Sequence, residues 1–178
     1  MKRTINQLTM TMALAASFAF ATPNNSNPNP HQEMLEAKVR HELLMLPYFG
    51  IFDNLKFNVD GGTVTLIGQV NRPTLKSDAA NVVRRIEGVT AVNNQLEVLP
   101  LSRFDDQLRV SVARNVYGQS ALNRYALGSN PSIHIIVKNG NVTLEGVVAR
   151  QMDSNIANIQ ANSVAGVFGV TNNLQIEK

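Results

Sequence analysis

Apolar residues run along this chain in two rhythms, and each rhythm occurs twice. Leu35, Val39, Leu43 and Leu46 recur at helical spacing between Pro30 and Pro47, which predicts a first helix there. Leu55, Phe57 and Val59 then alternate with Lys56, Asn58 and Asp60, and Val64, Leu66, Gly68 and Val70 share one face of the next segment. These are the patterns of two half-buried strands. Asp60-Gly61-Gly62 between them supplies residues that tolerate positive φ, as a tight hairpin turn requires. A second helix is predicted over about 72 to 87, with Asn71 as its cap, Pro73 in its first turn and Leu75, Ala79, Val82, Val83 and Ile86 as its buried stripe. Gly88 stops it, and a last strand carries Val92, Leu96 and Val98.

The same series returns further along. Residues 55 to 98 align without a gap on 133 to 176 at an offset of 78, and 14 of the 44 pairs are identical. Among them are Gly62 and Gly140, Val64 and Val142, Leu66 and Leu144, Gly68 and Gly146, Gly88 and Gly166, and Asn94 and Asn172. Upstream, Leu35, Val39 and Leu43 match Leu108, Val112 and Val116 at an offset of 73. The second copy therefore holds five more residues (78 minus 73) between its first helix and first strand. Its second helix is predicted at 150 to 165, with Met152, Ile156, Ile159 and Val164 as the apolar stripe.

A duplicated order of helix, strand, strand, helix, strand specifies the fold class. The right-handed crossover rule places the last strand parallel to the second. The expectation is an α+β protein of two αββαβ sandwiches, each a three-stranded mixed sheet with two helices on one face. On this reading Gly68 and Gly146 leave room for a helix backbone to approach the inward sheet face. Asn94 and Asn172 bond a neighbouring turn through their amides. The domains are expected at 31–99 and 104–178. Tyr48, Phe49, Ile51 and Phe52 are expected to form a contact between them.

The N-terminus carries a different signal. Lys2 and Arg3 precede an apolar run from Leu8 to Ala21 that ends Ala19-Phe20-Ala21, the layout of a secretory signal peptide with cleavage after Ala21. Residues 22 to 30, TPNNSNPNP, form a Pro/Asn/Ser linker. Removing residues 1–21 takes away two basic groups and no acid, so 16 against 13 becomes 14 against 13, a formal charge of +1. A nearly neutral exported chain lacks the basic face that nucleic-acid binding requires. With no cysteine in 178 residues, disulfides, thiolate metal sites and lipid-modified cysteines are excluded.

The run Gly62-Thr63-Val64-Thr65-Leu66-Ile67-Gly68-Gln69-Val70, its copy Gly140 to Val148, and the downstream Gly-Val-x-x-Val-x-Asn-x-Leu pattern at Gly88 and Gly166 resemble the BON domain. The resemblance spans about residues 31 to 178 and implies an αββαβ sandwich, in agreement with the order above. It further implies a periplasmic protein that binds phospholipid and protects the cell envelope against osmotic or other stress, with no catalytic residue in the shared motif.

A search for chemistry points the same way. His31, His41 and His134 are far apart and show no metal-ligand spacing. Asp105-Asp106 stands at a helix start, where acids favour the dipole, and His134 alternates with Ile133 and Ile135 and so points to the outer sheet face. Catalytic residues, metal and cofactors are all expected to be none. The longer loop of the second copy is the place to look for binding. There Tyr117, Leu122, Tyr125 and Leu127 offer apolar rings and chains to a headgroup layer, and Arg109, Arg114 and Arg124 offer charge to anionic phosphate. The alternative is that these apolar residues cover the end of the sheet or pack one module on the other. The expected partner is anionic phospholipid; the alternative is a protein–protein interaction scaffold of the envelope.

Overall fold

The computed structural model describes residues 30–127 and 130–177. The predicted signal peptide and most of the linker lie outside the described residues. The first copy comprises α1 (Pro30–Leu44), β1 (Asn54–Asp60), β2 (Thr63–Val70), α2 (Pro73–Arg84), β3 (Ala91–Asn94) and β4 (Glu97–Val98). The second comprises α3 (Arg103–Tyr117), a 3-10 turn (Asn123–Ala126), β5 (Ile133–Lys138), β6 (Asn141–Val148), α4 (Gln151–Asn162) and β7 (Gly169–Ile176).

Both sheets have the expected topology. β1 pairs antiparallel with β2, and β3 and β4 pair parallel with β2 as one interrupted strand. β5 pairs antiparallel with β6, and β7 pairs parallel with β6 along its length. Each hairpin turns on two positive-φ residues, Gly61 and Gly62 at 54° and 95°, and Asn139 and Gly140 at 51° and 76°. That is the backbone of the tight turn whose twist matches the flanking strands. Leu35, Val39 and Leu43 of α1 and Leu75, Ala79 and Val83 of α2 bury against Val59, Val64, Leu66 and Val70. Leu108, Val112 and Val116 of α3 and Ala157 and Ala161 of α4 bury against Ile133, Ile135, Val137, Val142, Leu144 and Val148.

Four local expectations are corrected. The N-cap of α2 is Arg72, extended and without a side-chain cap bond, in place of Asn71. Met152 and Ile159 stay outside at 66% and 62% exposure, because α4 buries Asp153, Ser154, Ala157 and Ala161 instead. Gly68 and Gly146 make room for the adjacent strand and the residue leading into it, not for a helix: a Cβ on either would lie 2.0 Å from the Asn54 carbonyl oxygen or 1.9 Å from that of Ser132. Asn94 and Asn172 bond helices, not turns. The Nδ2 of Asn94 donates to the Lys76 carbonyl at 2.8 Å, and that of Asn172 to Ser154 Oγ at 2.9 Å, while each Oδ1 accepts the N–H two residues on. Each last strand is thus tied to its own helix.

Phe49, Ile51 and Phe52 join the copies as expected, whereas Tyr48 does not: it is exposed, with its ring under the Arg72 guanidinium of its own copy. Phe52 packs into the second core, and the Phe49 ring stacks on His134 with centroids 5.5 Å apart. The Ile51 carbonyl accepts the Ile135 N–H. Lys56 pairs with Glu145 at 2.7 Å, and Lys138 with Glu97 at 2.5 Å. His134 does lie on the outer face of its sheet, and that face meets the first copy.

Candidate functional site

The 117–127 segment is folded back onto its own domain. Leu122 is fully buried in the second core, and Tyr117 and Tyr125 pack against that core. The Tyr117 hydroxyl donates to the Ile133 carbonyl, and burial pushes its pKa up. Of the candidate binding residues there, those left outward are the half-exposed Arg124 and Leu127, which is 72% exposed. Arg109 faces inward: its guanidinium is buried, donates to the Val137 carbonyl at 2.9 Å and pairs with Asp106. A buried, partnered arginine offers no charge to a membrane.

Tyr125 is the hub of the segment. Its hydroxyl accepts from the Ala149 N–H at 2.9 Å and from Arg124 at 2.6 Å, and donates to Asp153 Oδ2 at 2.7 Å. The Arg124 guanidinium lies 4.7 Å from the Tyr125 ring centroid, within cation–π range, and also pairs with Asp153. The Tyr125 hydroxyl, with Arg124 and then Arg150, holds the Asp153 carboxyl below the usual carboxylate range. Two arginines therefore act on one carboxylate, a net charge of +1, and Leu127 and Met152, close to them in sequence, are exposed. Sequence reasoning missed Asp153 and Arg150. The signal was present in the repeat register, where Asp153 aligns with Leu75: an acid in a core leucine's place needs a partner.

At the helix start Asp105 does more than favour a dipole. The Ser102 hydroxyl caps α3 by accepting the Asp105 N–H at 3.2 Å. The Asp105 carboxylate itself is buried and accepts the N–H groups of Asn139 and Gly140 at 2.9 and 2.8 Å, pinning the second hairpin. Among the described residues no group of three or more His, Cys, Asp or Glu could hold a metal ion. No helix among them is long and apolar enough to cross a membrane.

Two helix-backed mixed sheets in tandem, built on one repeated motif, define an α+β repeat protein. The BON domain family model matches residues 31–100 and 113–178, and the chain belongs to that family. BON domains go with a membrane- or envelope-associated role, are often periplasmic and are not known as enzymes. No curated protein matches the chain. Among solved structures, the chain is similar to CdsD, a structural protein of the Type III secretion system of Chlamydia trachomatis, at 14% identity over 82% of this chain and 94% of that one, with a TM-score of 0.32. It is similar also to the CdsD C-terminal domain, at 14% identity over 81% and 98% of the two chains, with a TM-score of 0.29.

Proposed function

We propose that this is a non-enzymatic periplasmic protein, exported by residues 1–21, whose domains at 31–99 and 104–178 hold a phospholipid-binding surface on the second. Its role is to support envelope integrity under osmotic stress. The surface is the 117–127 segment. Tyr117 and Leu122 anchor it to the core, Tyr125 fixes its outer turn, and Arg124 faces the lipid phosphates with Arg150 beside it. The observation that carries this reading is the rim around Asp153, where two arginines outnumber one carboxylate and Leu127 and Met152 stand exposed. Cationic groups next to apolar side chains suit an anionic headgroup layer.

Co-sedimentation with vesicles tests it. The protein is expected to pellet with phosphatidylglycerol-containing vesicles at low salt, to pellet less with pure phosphatidylcholine, and to be released as salt rises. Arg150→Ala is expected to lower binding roughly fivefold, the equivalent of about 1 kcal/mol per basic side chain near such a surface. Leu127→Ser with Met152→Ser lowers it further. Absence of co-sedimentation at low salt overturns the lipid reading, and specific capture by an envelope protein would then favour a scaffold.

A further inference from the structure

The two copies finish the same end of the sandwich in different ways. In the second, the hairpin turn gives both of its amide protons to the Asp105 carboxylate. Phe104 and Phe168 lie beside it with ring centroids 6.0 Å apart. A Cβ on Gly140 would come within 2.6 Å of the Phe168 ring, and one on Gly166 within 3.3 Å of the Phe104 ring. A buried carboxylate and two partly exposed rings, Phe104 at 45% and Phe168 at 74% exposure, therefore cover the region between the start of α3, the β5–β6 turn and the loop after α4.

In the first copy the backbone is the same and the covering is smaller: a Cβ on Gly62 would meet Thr90 Oγ1 at 3.2 Å, where the second copy has an aromatic ring. The Gly62 carbonyl accepts the Thr90 N–H at 2.8 Å, as the Gly140 carbonyl accepts that of Phe168 at 2.9 Å. The repeat register, however, puts His31 where the second copy has Phe104, Gln32 for Asp105, and Thr90 for Phe168. Gln32 turns away to Glu36 and the Val59 carbonyl, at 3.2 Å each. The N–H groups of Gly61 and Gly62 meet no acceptor among the described residues. Gly61 and Gly62 line an open cleft of about 500 Å³, together with His31, Lys38 and Gly88 among others.

From this pairing we infer that the cleft of the first copy binds a carboxylate carrying an aromatic or apolar group, in the manner of Phe104 and Asp105 in the second. Successive backbone N–H groups at a tight turn form an anion-binding concavity, and the second copy shows a carboxylate seated on that turn. Lys38 adds a cation that makes no salt bridge among the described residues. Glu87, also on the lining, opposes a second negative charge and so favours a carboxylate over a phosphate monoester. The cleft is of ordinary size for a small-ligand site. A peptide presenting Phe-Asp and a free aryl-alkanoic acid share this chemistry. The site is independent of the membrane surface proposed above, which lies on the other copy.

Amide NMR on the purified protein tests the inference, with 3-phenylpropionate, 3-phenylpropanamide, inorganic phosphate and the peptide acetyl-Arg-Phe-Asp-Asp-amide as probes. Saturating downfield shifts of the Gly61 and Gly62 amides are expected with the acid and the peptide and not with the neutral amide. Asn139 and Gly140, already bonded to Asp105, stay still. Gln32→Asp supplies an internal carboxylate and Thr90→Phe fills the cleft, so each is expected to weaken binding by about tenfold or more. Tighter binding of the peptide supports the site and identifies a protein partner; tighter binding of the free acid supports it and identifies a small molecule. Unmoved Gly61 and Gly62 amides in the wild-type titration, or shifts as large with the neutral amide or with phosphate, overturn it without reference to either variant.

Discussion

The Ile135 N–H donates to the Ile51 carbonyl across 2.7 Å, from the edge strand of one copy to a loop of the other. β5 is the outermost strand of its sheet, and an uncovered strand edge is a template for unwanted pairing. The first copy covers it at this point, and Phe52 follows the bond into the second core. Phe52→Ala is expected to cost about 2 kcal/mol, below the range for a fully buried phenylalanine. The Ile135 amide should then exchange with deuterium at least several-fold faster, while Val142 in the sheet centre changes only with global stability. An Ile135 exchange rate untouched by the substitution would show that the contact does not protect the edge.

Gly146 sits at φ 122°, and an added Cβ would lie 1.9 Å from the Ser132 carbonyl oxygen. Backbone cannot yield as a flexible side chain can. Gly146→Ala and Gly68→Ala should each destabilise their domain by about 3 kcal/mol or more, combining a clash with a disfavoured dihedral. Gly50→Ala, with nothing within 4 Å and no positive φ, is the control expected to melt within a degree or two of wild type. Thermal unfolding followed by circular dichroism separates the three.

The repeat made the fold readable because two gapless copies repeat the same inward positions, and accidental periodicity does not survive that comparison. The errors came from reading size as burial. In α4 the apolar stripe points Met152 and Ile159 inward, yet both are exposed, and the first copy has Thr74 and Asn81 at those places. Ala157 and Ala161 align with the buried Ala79 and Val83, so the register held the answer that hydrophobicity obscured. Other features rest on long-range contacts that local pattern does not encode. Asp105 meets a turn 34 residues away, and Tyr125 meets Asp153 28 residues away. The aromatic run 48–52 announced a contact, but nothing near it pointed to His134 as its partner.

Asp105 accepts two charge-assisted hydrogen bonds from the turn at a fully buried position. Removing the acceptor strands two amide donors, each such bond being worth about 1.5–3 kcal/mol. Asp105→Ala should therefore lower stability by about 3 kcal/mol, and Asp105→Asn by less because one oxygen acceptor remains. The loss should concentrate in the second copy, with Asn139 and Gly140 amide exchange accelerated first. Equal loosening of the Gly61–Gly62 turn would argue against a local clamp.

His134 couples the contact between the copies to pH. Its ring stacks on Phe49, and its Nδ1 lies 3.3 Å from the Gly50 carbonyl, to which it donates when that nitrogen carries the proton. Burial pulls its pKa below the ordinary 6.5, against the opposing pull of Gly50, Asp53 and Glu145. As pH falls through 6.5, the unfolded chain takes up a proton that the folded chain resists, so the native state loses stability. Lys56, paired with Glu145, offsets part of the negative charge facing the ring. Asp53 acts oppositely and at lower pH. Burial raises its pKa above 3.8 despite the N–H groups of Asn71 and Gly50, so the folded state holds a proton that the unfolded chain has released, and stability is gained as pH falls through the raised value. Urea unfolding between about pH 7 and pH 5 should thus show stability declining with acid. His134→Gln keeps a donor in place without a titrating ring and should flatten that decline. His31 and His41 are common to both proteins, so an identical slope in the variant would place the acid sensitivity away from the contact between the copies.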